Sequence, residues 1–272
     1  MAERVAVLSD VHGVLPALEA VLAEPEVRAA GTVVVAGDLL AGPQPLETLE
    51  MLRALGDRAV LISGNADREL VALSRRPPAA EGPAAGTDGA EAPAPPPVDA
   101  WAAAQLRPAD VELLAGLPRS ALLEVDGLGP VLFCHATPRD DAETVLVDSR
   151  PERWAEVLAG VDPGVRAVVC GHTHMPFVRL AHGRLVVNPG SVGMPYGRPG
   201  AHWALLGPGD GVTLRRTAFD CAAACERIAA ESGFEGAAQW ADEYVYARNS
   251  AEDALAAFGP GDGRYPSGRP SG

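Results

Sequence analysis

No block of basic residues occurs in the 272-residue sequence, where 36 acidic residues outweigh 22 basic ones for a formal charge of −14 and a pI near 4.8. A nucleic-acid groove or an anionic membrane surface needs a cationic footprint, and this chain has none to offer. A small phosphorylated substrate is still allowed if cations are recruited locally. Long apolar runs are missing too. Near the N-terminus the run VAVL covers four residues before Ser9 and Asp10, so neither a signal peptide nor a membrane span is expected. Cysteine is sparse, at positions 134, 170, 221 and 225, with no CxxC pair. This argues for reduced, mostly buried thiols in a cytoplasmic protein.

What is present reads as an ordinary globular chain, with 47% hydrophobic residues. Its length suits one large core, expected here as a single domain over residues 1–258. Two stretches have little to bury. From Pro77 to Pro97, 17 of 21 residues are Pro, Ala or Gly, which predicts a disordered insertion. The tail GPGDGRYPSGRPSG over 259–272 is expected to be flexible.

The first half alternates. Strands are predicted at 4–8, 32–36 and 59–62, and helices from Pro16, around 45–55 and around 66–75. Such alternation implies a partly parallel sheet with helix-covered faces. A helical piece is predicted over 98–116, followed by the extended runs SALLEV, PVLFC, RAVVC, FVRL, RLVVN, WALL and VTLRR. One helix near 151–159 interrupts them. Their close spacing predicts a second sheet packed on the first, with helices returning over 220–257.

The chemistry lies where the apolar runs stop. VAVLSDVHG ends in Asp10 and His12, TVVVAGD in Asp38, and AVLISGNAD in Asn65. VLFCHATP ends in His135, and RAVVCGHTH in His172 and His174. One Asp-x-His at a strand end is commonly a capped turn, but five apolar strands each ending in an oxygen or nitrogen donor form a pattern. In open α/β sheets the carboxyl ends of strands line the ligand crevice, so the seven side chains are expected to converge. Seven exceeds what a single catalytic zinc uses and suits two divalent ions about 3.5–4 Å apart. The lack of cysteine among them argues against a structural zinc.

These blocks, D-x-H-G, G-D, G-N, H and G-H-T-H in that order, resemble the calcineurin-like metallophosphoesterases from Val5 to about Tyr196. VDAWAAAQLRPADVELLAGLP and NPGSVG point to their small bacterial phosphodiesterase-type members. The resemblance implies an α/β fold of two packed mixed β-sheets, a β-sandwich flanked by helices in the αββα arrangement. It implies that Asp10, His12 and His174 hold one metal, that Asn65, His135 and His172 hold a second, and that Asp38 bridges them. The expected cofactor is two divalent ions, manganese first, with iron, nickel or zinc allowed by the donor set. The implied function is hydrolysis of phosphodiesters or small phosphomonoesters by in-line attack of a metal-bound hydroxide, with His12, Asn65 and His135 stabilising the phosphate. A phosphoprotein phosphatase and a non-catalytic scaffold are the alternatives.

One position departs from the pattern. Many relatives read Gly-Asn-His-Asp where this chain reads Gly64-Asn65-Ala66-Asp67, which removes the usual donor of a proton to the leaving alkoxide. Asp67 is read as support behind the ligands. Arg68 is either an exposed first-turn residue or a phosphate clamp. Asn188-Pro189-Gly190-Ser191 is either a tight turn or a nest of N–H groups for an anion, with Ser191 a substrate contact in the second case. His182 reads as part of a hairpin turn, and His202 as either a strand residue or a distal acid.

Overall fold

Valines and other β-branched or apolar residues fill the strands without polar alternation, because both faces of each inner strand are covered. The computed structural model describes residues 3–76, 97–209 and 211–263. The expected insertion falls largely, and the end of the tail wholly, outside them. The first half runs β1 (Val5–Leu8), α1 (Leu15–Ala23), α2 (Pro25–Ala29), β2 (Thr32–Ala36), α3 (Pro45–Arg53), β3 (Ala59–Ile62) and α4 (Asn65–Ser74). After the undescribed stretch come α5 (Val98–Gln105), α6 (Pro108–Ala115), β4 (Ser120–Val125), β5 (Gly129–Cys134), α7 (Pro151–Val157) and β6 (Ala167–Val169). The chain continues through β7 (Phe177–Ala181), β8 (Arg184–Asn188), β9 (Ala201–Gly207), β10 (Gly211–Thr217), α8 (Cys221–Glu231), α9 (Ala237–Tyr244) and α10 (Ala251–Phe258).

Two five-stranded mixed sheets result, ordered β10-β9-β1-β2-β3 and β4-β5-β6-β8-β7. Alternate residues of each strand enter different layers. Val5, Val7, Val34 and Ile62 meet Val131, Phe133, Val169 and Val187 between the sheets. Ala6, Leu8, Val33 and Val35 turn the other way, onto the helices that carry Leu18, Leu49, Leu52 and Leu70. Outside the second sheet, Trp154 and Val157 of α7 pack with Val168 and Val186. The order of layers is therefore helix, sheet, sheet, helix.

Three expectations are corrected. WALL and VTLRR do not extend the second sheet: β9 pairs antiparallel with β1, and β10 with β9, so the chain returns to the first sheet. The single helix over 98–116 is two, because Pro108 disfavours helical geometry at Arg107, whose φ/ψ are −74°/155°. The flexible tail does not begin at Gly259. Asp262 is buried and accepts a hydrogen bond from the Ser149 hydroxyl, which ties this turn to the loop before α7. His182 sits with Gly183 in the β7–β8 hairpin, both at positive φ (48° and 77°), the geometry of a two-residue turn.

Candidate metal centre

Register brings the strand tips together. β1 and β2 are parallel with Leu8 opposite Val35, and β2 and β3 are parallel with Ala36 opposite Ile62, so Asp10, Asp38 and Asn65 leave the same end of the first sheet. In the second sheet β5 and β6 are parallel with Phe133 opposite Val169, which sets His135 beside the 171–174 loop. The Gly171 N–H donates to the His135 carbonyl, and the His172 N–H lies 3.2 Å from both Asp10 carboxylate oxygens, tying one sheet to the other.

The backbone at these tips is unusual. Asp10, His12, Asp38, His172 and His174 all have positive φ, between 48° and 67°, a conformation that few residues other than glycine adopt. Each costs on the order of 1–3 kcal/mol and persists only because its surroundings over-determine it. Asp10 and His12 N–H groups donate to the carbonyls of Gly37 and Asp38 at 3.0 Å, and Ser191 Oγ donates to the Asp10 carbonyl at 2.8 Å. Two glycines are required by space. A Cβ on Gly64 would stand 2.1 Å from Asp38 Oδ1, and one on Gly171 would stand 1.9 Å from Ser9 Oγ.

All seven side chains meet, in two joined trios and an amide. Donor atoms of Asp10, His12 and His174 lie within 4.8 Å of one another, as do those of Asp38, His135 and His172. The two i, i+2 histidines of the GHTH block thus part, one to each trio, which spacing alone does not reveal. Asp38 Oδ2 links the groups, 3.2 Å from His135 Nε2 and 3.7 Å from His12 Nε2. His12, His135 and His174 each turn Nδ1 to a carbonyl, of Ala41 (3.2 Å), Ala36 (2.8 Å) and Met194 (2.8 Å). An Nδ1–H donated there leaves Nε2 unprotonated and pointing inward, the tautomer a metal ligand needs.

The donor set fits divalent cations. As oriented, the Asn65 amide oxygen lies 3.1 Å from His135 Nε2; turned over, the amide nitrogen would donate to His135 Nε2, to His172 Nδ1 (both 3.1 Å) and to the Asp141 carbonyl (3.2 Å). The first orientation turns the amide oxygen toward His135 and the neighbouring donors, the side a cation would occupy; the second suits imidazoles with no proton on the facing nitrogens. Protons tell the same story. Burial opposes charge on Asp38 and Asp10, yet neighbouring histidines, His135 for Asp38 and His174 for Asp10, hold both carboxyls below their ordinary value. Burial likewise opposes charge on His135, but Asp38 pushes it up to about 10, and His174 is raised by Asp10. His172 is pushed down to about 4 by burial and by His135, and His12 is lowered by burial. Each carboxylate thus draws a proton onto one imidazole of its trio, the place a cation would take.

The supporting residues separate cleanly. Asp67 is fully buried and accepts from the N–H groups of Asp38, Leu39 and Gly64, each at 2.9 Å. Burial, with Asp38 adding, raises its carboxyl to about 7. Arg68 makes a two-pronged pair with Asp141, Nε to Oδ2 at 2.9 Å and Nη2 to Oδ1 at 3.0 Å, so its guanidinium is already engaged. The anion nest is corrected. N–H groups of Gly190, Val192, Gly193 and Met194 are spent on Asn188 Oδ1, Ser9 O, Asp10 O and Ser191 Oγ. Ser191 is fully buried and braces Asp10 rather than facing a substrate. His202 directs Nε2 to the Arg198 carbonyl, 3.4 Å away, and belongs to neither trio.

Sequence reasoning missed the aromatic surroundings. Tyr196 stands 6.1 Å from the His174 ring, and Phe258, from α10, 5.7 Å from the His172 ring. No local pattern marks them, since each is a lone aromatic in a turn or helix.

Comparison with known proteins agrees with this geometry. The chain is 34% identical over 145 residues to a symmetrical bis(5'-nucleosyl)-tetraphosphatase of Klebsiella pneumoniae, a match over 50% of this chain and 45% of that protein, so it spans less than half the relative's length. Among solved structures, a metallophosphoesterase from Sphaerobacter thermophilus superposes with a TM-score of 0.66 at 26% identity, covering 89% of this chain and 99% of that one. A hypothetical protein from Pyrococcus horikoshii shares the fold with a TM-score of 0.70 at 21% identity, covering 91% and 99%. The profile of the calcineurin-like phosphoesterase superfamily domain matches residues 4–209, a span that holds every strand tip described above, and the chain belongs to that superfamily.

Proposed function

We propose that the protein hydrolyses small phosphate esters, diesters foremost, with two divalent cations, manganese being the first choice. The observation that carries the reading is the pair of trios joined through Asp38. Asp10, His12 and His174 would hold one cation, Asn65, His135 and His172 the other, and Asp38 both. When bound, the cations supply positive charge to the phosphoryl oxygens and lower the pKa of water to near neutrality.

The chain's own residues do the rest. The carbonyls of Ala41, Ala36 and Met194 hold three imidazoles in one tautomer. Asp67 pins the Asp38 and Gly64 backbones so that the bridging carboxylate keeps its place. His12 and His135, both buried, already turn Nδ1 to carbonyls, so they would act on the phosphoryl group through the cations they hold. Ala66 has no proton to give, so esters of good leaving groups should be favoured.

The similarity to a dinucleoside tetraphosphatase supports a small soluble ester rather than a phosphoprotein. A scaffold would have no need of the complete donor set. Stripping metal with a chelator, reloading with Mn²⁺ and assaying bis(4-nitrophenyl) phosphate tests the proposal. Metal-dependent turnover is expected; turnover no faster than buffer after reloading refutes it.

A further inference from the structure

A cavity of 240 Å³ is bordered by His12 of the candidate metal centre. Its far wall is aromatic. Trp240 and Tyr244, one turn apart on α9, face it with ring centroids 5.0 Å apart and tilted by 51°. Met194 adds a polarizable thioether, and both rings are only partly buried. α9 lies beyond residue 209, where the family match ends, so this wall is supplied by the part of the chain outside it.

The other wall is acidic. Glu69, on α4, and Asp99, in the first turn of α5, border the same space, and Arg68 beside them is turned to Asp141 instead. A second phosphate entering here would meet two carboxylates and no free guanidinium. An uncharged ring bearing N–H donors would meet acceptors on one side and aromatic side chains on the other. Ala66 borders the cavity beside His12. A longer side chain there would occupy part of it; the methyl leaves it open.

We propose that the Trp240–Tyr244 cavity is a subsite for a planar heteroaromatic ring with N–H donors, of the nucleobase type, on one ester arm of the substrate. This rests on the phosphoesterase reading of the adjoining metal centre but names a different set of residues. Stacking on an aromatic side chain contributes about 1–3 kcal/mol per base, about five- to 150-fold in affinity. The ring positions the ester by its affinity, so the subsite acts mainly on KM.

Binding of adenosine, which carries no phosphate and cannot be turned over, tests the subsite without relying on catalysis. Ligand-observed NMR with the full chain should show adenosine binding and no binding of ribose. Trp240→Ala and Tyr244→Ala should each weaken adenosine about tenfold or more. Equal, weak signals for adenosine and ribose on the wild-type protein overturn the proposal, and need no variant to do so. Unaltered adenosine binding in both variants overturns it as well. A second readout compares thymidine 5'-(4-nitrophenyl phosphate) with methyl 4-nitrophenyl phosphate, which share a leaving group. The wild type should prefer the nucleoside ester through KM, and the preference should collapse toward unity in Trp240→Ala. Absence of turnover with either ester would count against the hydrolase reading alone, while the adenosine result would still decide the subsite.

Discussion

Asp10, His12, Asp38, His172 and His174 share a left-handed backbone in the loops that follow their strands. The residue types are visible in the sequence, since an aspartate or histidine closing an apolar run is conspicuous. Their conformation is not, because nothing local favours positive φ at a histidine. The space around them is equally strict. Gly64 has φ −98° and ψ −179°, which any residue could adopt, yet a Cβ there would meet Asp38 Oδ1 at 2.1 Å. Gly64→Ala should therefore displace the bridging carboxylate and lower kcat/KM by about 100-fold, the scale of an ångström-sized misplacement. Metal content by elemental analysis should fall in parallel; full occupancy with full activity would show that the contact yields without consequence.

At the scale of elements, α6 shows how a short helix is held. It opens with Pro108 at its first position, and Asp110 accepts from the Arg107 N–H at 3.2 Å, half of a capping box. The same carboxylate takes Arg107 Nε at 2.6 Å and Arg53 Nη1, from the end of α3, at 2.9 Å. These hydrogen bonds, led by the Arg107 guanidinium, hold Asp110 below its ordinary value against the opposing effect of burial. A lowered folded-state value means that the contribution is complete above the unfolded value and is lost as pH falls through the folded one. Asp110→Asn should cost about 1–2 kcal/mol near neutral pH, since both arginines are partly exposed. Urea unfolding should show the gap closing as pH falls through and below the ordinary carboxylate range. A gap independent of pH would mean that the carboxylate's charge is irrelevant. Here the sequence was readable only in part: Pro108 is a plain helix start, but the partner Arg53 lies 57 positions earlier and is found only through packing of α3 against this region.

Across the whole molecule, the candidate metal centre is where two sheets and distant parts of the chain close on one another. His12 and His174, 162 positions apart, stand 3.2 Å apart at Nε2. A cluster that binds cations only when both sheets are in place should couple binding to folding, so Mn²⁺ at about 100 times its Kd should stabilise the chain by about 2.7 kcal/mol. Calorimetry with and without chelator should show a Tm difference of about 5 °C or more. Identical Tm values would mean that the seven side chains do not bind the ion in the folded state. From the sequence alone came the ligand types, their order, and the two-sheet fold, because apolar runs ending in donors and the alternation of strands with helices are local properties. The parting of His172 and His174 came from the family resemblance and not from their spacing; only the tertiary structure decided that β9 and β10 rejoin the first sheet, that Ser191 is buried against Asp10, and that α9 sets Trp240 and Tyr244 in the cavity bordered by His12. Those depend on register and packing between segments far apart in the chain, and the energy that selects one packing is shared by the whole core rather than carried by any short stretch of it.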